Sequence, residues 1–87
     1  MTRSGLRERK REATAHALAE AAFELAMAHF RTARPRVVYL ALGETDDWAH
    51  DGRYDRVLGA FERTDAYLKE LWTWLQASPD YRGRAHI

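Results

Sequence analysis

The chain has 87 residues, 46% of them hydrophobic and 11% aromatic, with a formal net charge of +1 and no cysteine. That length supports one small domain and excludes an active-site cleft paired with a separate substrate domain, while the missing cysteines exclude disulfides and thiolate metal ligands. No apolar run approaches the roughly eighteen residues of a membrane span and no signal peptide opens the sequence, so no membrane partner is expected and a cytoplasmic location is the default expectation.

The near-neutral total conceals an asymmetry: residues 1–36 hold eight Lys/Arg against four acids, and residues 37–87 hold six against nine. Residues 1–12 read as a basic, partly disordered arm carrying Arg3, Arg7, Arg9, Lys10 and Arg11, interrupted by Glu8 and Glu12. From about Ser4 to Phe30 the Ala, Leu, Glu and Arg content predicts one helix, with Ser4 as its N-cap. Its apolar stripe runs Leu18, Ala21, Ala22, Leu25 and Ala28, broadened by Phe23, Met27 and Phe30. Pro35 disfavours helix at Arg34, so the element stops within residues 32–35.

Residues 36–42 are apolar on both faces and rich in β-branched side chains, the pattern of a parallel strand buried between helices. The same reading contains a conflict, because no second strand is evident to pair with its backbone groups. About Asp55 to Ala77 forms a second long helix with Tyr54, Val57, Leu58, Phe61, Leu68, Leu71, Trp72 and Leu75 at three- and four-residue intervals. Asp65 falls on that stripe and needs a partner if buried. Ser78 and Pro79 end the helix. The expected fold is therefore an α/β fragment: α-β-α with one strand and two long helices, predominantly helical, with residues 13–87 a single incomplete unit.

Between strand and helix, Asp46 and His50 stand four apart, a spacing that sets a carboxylate and an imidazole on one helical face where both reach one divalent ion. Glu44, Asp46, Asp47, Asp51 and Asp55 surround them with Arg53 as the only base, a field that attracts cations. The ordinary alternative is that Asp46 caps a helical turn and His50 is a surface residue. A tetrahedral site takes at least three protein ligands, and the sequence singles out no third among His29, His86 or a second copy of the chain. Trp72 is expected in the core, and Thr45 reads as a turn residue.

Residues 34–55, from Arg34 through Asp46 and His50 to Asp55, resemble the alkaline phosphatase-like superfamily of metallohydrolases. Residues 63–72 and 80–84 look like the same proteins continuing, so the resemblance covers roughly residues 29–87. It implies that Asp46 and His50 are two ligands of a zinc-type site, and that a complete enzyme acts on phosphate or sulfate esters. It also implies a nucleophilic Ser or Thr, an Asp-His pair on a following strand and a further His. None of these is matched here, and the following strand is expected to begin only at Ile87. The expectation is a truncated, metal-binding hydrolase fragment, catalytically inactive alone.

Gly5 to Thr14 and Ala19 to Ala26 are similar to the opening helix of tetracycline-repressor-type regulators, where a basic arm precedes a helix-turn-helix. The resemblance implies a DNA-associated role in which Arg7, Arg9, Lys10 and Arg11 contact phosphates. No base-reading element follows, so a solvated helix start is the stronger expectation and a nucleic-acid partner the weaker. A third expectation is a non-catalytic helical oligomer, self-associating through open strand edges and helix stripes.

Overall fold

The computed structural model describes residues 3–87, and side chains from residue 5 onward. It consists of three helices, α1 (Arg3–Ala33), α2 (Glu44–His50) and α3 (Tyr54–Ala77), with no strand among the described residues. The two long helices fall where composition and periodicity place them. The helix is already under way at Ser4, past the expected cap, and is continuous through residues 3–12; of the arm expected at 1–12, Met1 and Thr2 lie outside the described residues.

The strand expected at 36–42 does not form, and the α/β class is replaced by an all-helical one. A lone extended segment has no neighbour to receive its N–H and C=O groups, and this segment finds none. Residues 34–43 instead connect α1 to α2 irregularly, with Val38, Leu40 and Leu42 half-buried and Val37, Tyr39 and Ala41 exposed. The apolar run is thus used on one side only. Its inner residues share a groove of about 650 Å³ with Leu68, Leu71 and Leu75 of α3 and with the C-terminal residues 84–87.

At the end of α1, Arg34 takes a left-handed φ of 50°, which turns the chain out of the helix ahead of Pro35. The α2–α3 junction is set more tightly. Gly52, at φ 69°, closes a Schellman turn in which Arg53 N–H donates to Trp48 O (2.9 Å) and Gly52 N–H to Ala49 O (3.1 Å).

In both long helices the buried face takes in only part of the expected stripe: Phe23 and Met27 in α1 and Leu75 in α3 are buried as expected, while several of the leucines are not. In α1 the buried line is Ala19, Phe23 and Met27, while Leu18 and Leu25 are 67% and 72% exposed. In α3 the inward residues are Ala60 and Leu75, flanked by half-buried Val57, Tyr67, Leu71 and Trp74. Ring area decides the choice, since each aromatic buries more surface than a leucine. Phe23 stacks on Tyr67 at 4.5 Å between centroids, and Phe30, Trp74 and Tyr81 form a three-ring cluster at 5.8–6.0 Å. The Tyr81 hydroxyl donates to Pro35 O at 2.8 Å, tying the C-terminal turn to the end of α1. Trp72, expected inside, is among the exposed residues and Trp74 takes that role. Asp65 is exposed, so it needs no buried partner.

Only Trp48, Phe23 and Met27 are fully buried large side chains among the described residues. The molecule measures 52 × 21 × 17 Å with a radius of gyration of 15.7 Å, against about 12 Å for a compact chain of this length. None of its described helices is long and apolar enough to cross a membrane.

Burial against Phe23 pushes the Tyr67 phenol above the ordinary tyrosine range, reinforced by the negative charges of Glu20 and Glu44. A raised folded-state pKa favours the protonated form in the fold. The stability it contributes is therefore whole below about pH 10, the unfolded tyrosine value, and is lost as pH rises through the folded pKa. Phenolate absorbance should show a late-ionising step that disappears in Tyr67→Phe, with helix content falling over the same interval. Identical titration curves for the two proteins would contradict this.

Candidate functional site

The short helix α2 has two faces with different fates. Seven residues are too few for a stable helix in water, so packing must hold it. Glu44 and Trp48, four apart, point inward and are buried; Asp46, Asp47 and His50 point outward. Trp48 is 1% exposed and its burial contributes on the order of 1.5–3 kcal/mol. Its indole Nε1 meets no hydrogen-bond acceptor among the described residues, which offsets part of that gain.

Glu44 is the charged residue that sequence reasoning took for one member of an acidic field. Its side chain is 5% exposed and receives both ends of the Arg63 fork, from Nη2 and from Nε at 3.2 Å. A carboxylate this deep needs such a two-point partner, because desolvation without one costs several kcal/mol. The pair fixes α2 against α3. The signal for it in the sequence was Arg63, on the same side of α3 as Ala60 and Tyr67 at helical spacing.

One acid of the field is met from α1, and two acids of α1 reach the arginines beside it. Arg11 pairs with Asp51 and stands 5.2 Å over the Trp48 ring, Glu8 pairs with Arg53, and Glu12 accepts from Arg56 at 2.8 Å. Arg53 also forks onto Asp55 (3.1 and 3.2 Å), a hydrogen bond that holds the Asp55 carboxyl below the usual carboxylate range. The two acids that interrupted the basic run are thus the residues that dock α1 onto the α2–α3 junction. Of the four cations expected to contact phosphates, Arg11 is committed to Asp51 and Trp48, while Arg7, Arg9 and Lys10 are exposed.

Asp46 and His50 do come together. The carboxylate Oδ2 lies 3.5 Å from the imidazole Nε2, and both side chains are more than three-quarters exposed. The i,i+4 geometry delivers two adjacent donors, as their spacing implied. No third donor joins them: among the described residues no cluster of three His, Asp, Glu or Cys side chains is arranged to hold a metal ion, so neither His29 nor His86 completes the set. The donors present fit a two-point, water-exposed attachment and do not fit a closed tetrahedral zinc centre. Thr45 lies half-buried in the first turn of α2.

The two faces of α2 predict opposite mutational outcomes. Glu44→Ala strands a partly buried guanidinium and should cost about 1–3 kcal/mol, whereas Asp46→Ala should change stability by less than about 0.5 kcal/mol. Chemical denaturation read by far-ultraviolet circular dichroism checks both. Equal losses in the two variants would refute the division of labour.

Compared with protein-family models, curated proteins and solved structures, the chain finds no match.

Proposed function

We propose that this chain is a non-catalytic piece of metallohydrolase-type sequence, in which Asp46 and His50 correspond to two ligands of an alkaline phosphatase-like divalent-metal site. The reading rests on the resemblance over roughly residues 29–87 and is supported by one observation. The two residues that the resemblance selects lie side by side on the outward face of α2, 3.5 Å apart, and among the described residues neither is drawn into another ion pair. In a complete enzyme of that kind the metal supplies Lewis acidity toward a phosphate or sulfate ester. In this chain the two side chains offer a carboxylate oxygen and an imidazole nitrogen, with water left to fill the remaining positions. Nothing else on the α2 surface supplies a nucleophile with a base and an orienting group, so no ester turnover follows from the residues present.

Weak zinc binding follows from the donor count. Zinc titration followed by the His50 imidazole resonances should show fast-exchange shifts that vanish in Asp46→Ala, and the chain should not hydrolyse aryl phosphate or aryl sulfate above background. Turnover that disappears in Asp46→Ala would overturn the incompleteness, and an unmoved His50 would overturn the ligand assignment.

A second reading, a helical module that self-associates, is favoured by a separate observation. The stripes that periodicity assigned to the core of α1 and α3 lie largely on the surface, with Leu18, Leu25, Tyr54 and Leu58 each about two-thirds or more exposed. The accessible surface of 6693 Å² exceeds the roughly 5,300 Å² of a compact chain of this mass. Helix stripes, and not strand edges, are the surfaces available for this. A chain that stays monomeric at every concentration disposes of this second reading.

A further inference from the structure

We infer that the exposed face of α3 is an antiparallel homodimer interface; the inference rests on the self-association reading and deepens it by naming the surface, the partner and the orientation. Tyr54, Leu58, Phe61, Asp65, Leu68 and Trp72 follow one another in alternating steps of four and three residues. That is an a/d heptad register sustained along nearly the whole helix, the pattern of a coiled-coil seam. The seam lies about a third of a turn away from the line Ala60–Tyr67–Leu71 that packs on the rest of the molecule, so the monomer leaves it open. Its five large apolar members are all exposed, from 41% at Leu68 to 71% at Tyr54.

Charge and register select a second copy of the chain, and select its direction. The positions flanking the seam on one side are Asp55, Glu62, Lys69 and Gln76. When two copies run antiparallel, flanking positions of the same kind face each other across the seam, so Glu62 of each copy meets Lys69 of the other. The single interface then gains two identical opposite-charge pairs, as a twofold axis requires. In the same arrangement Asp65 stands opposite Leu68. In a parallel arrangement Asp65 would oppose Asp65 directly, and Glu62 would face the Val57 side with no cation to meet it. The near-zero net charge of +1 adds no repulsion between copies. The excess accessible surface, roughly 1,400 Å², is more than the about 800 Å² that one partner of a standard-sized interface contributes.

Sedimentation equilibrium of the full chain, from micromolar to millimolar concentration, tests the proposal. The wild type should sediment as a monomer–dimer equilibrium. Phe61→Glu, at an exposed position, should sediment as a monomer with an unchanged helical spectrum. Glu62→Lys and Lys69→Glu should each weaken dimerisation by about tenfold, because two attractive pairs become repulsive, and the double swap should restore it. A dimer indifferent to Phe61→Glu and to the charge swaps would overturn the α3 assignment while leaving self-association standing. A dimer weakened by Phe61→Glu but not restored by the double swap would overturn the antiparallel register. A strictly monomeric wild type would remove both this inference and the reading beneath it.

Discussion

The structure depends on one seven-residue helix wedged between two long ones. α2 packs on both α1 and α3, with Trp48 buried beneath Arg11 of α1, and the Glu44–Arg63 pair fixes the wedge to α3. Without that wedge, the direct contacts described between α1 and α3 are two ring contacts, Phe23 on Tyr67 and Phe30 on Trp74, and the Glu12–Arg56 ion pair, and Arg11 loses Asp51 and Trp48. The Schellman turn at Gly52 matters for the same reason. It reverses the chain immediately after α2, so that α3 passes back along the wedge.

This arrangement explains how the acidic stretch can be both structural and exposed. A helix turns about 100° per residue, so neighbours in sequence are sorted onto different sides. Glu44 and Trp48 go inward, Asp51 and Asp55 are met by Arg11 and Arg53, and Asp46 and His50 are left outward on the same face. Asp46 and His50 are therefore side chains that no other ion pair among the described residues engages. Their pairing is a consequence of local helix geometry alone, which is why the fold neither buries them nor supplies a third donor.

Both long helices were legible in the sequence, and their ends at Ala33 and Ala77 follow from Pro35 and Pro79. The strand was misread because six consecutive apolar residues, Val37 to Leu42, satisfy two physical situations: a ribbon covered on both faces, or a connector pressed against a helix on one face. Only the second is open to a chain that offers no pairing partner. The helix faces were legible only in part, Phe23, Met27 and Leu75 being placed correctly, for a different reason. Periodicity finds an apolar stripe but not which of two adjacent stripes faces inward, and α3 carries both Leu58–Phe61–Leu68–Trp72 and Ala60–Tyr67–Leu71–Trp74. Asp46 and His50 were found from their spacing, whereas the Glu44–Arg63 pair was not, since it joins residues nineteen apart through tertiary packing.

The wedge itself is tested most directly by residue-resolved amide hydrogen exchange on the intact chain. An isolated helix of seven residues frays, so slow exchange of the α2 amides reports its packing and nothing else. The account predicts protection through residues 47–50 comparable to the middle of α3, and fast exchange through residues 36–42. Unprotected α2 amides, or protected ones at 36–42, would contradict it.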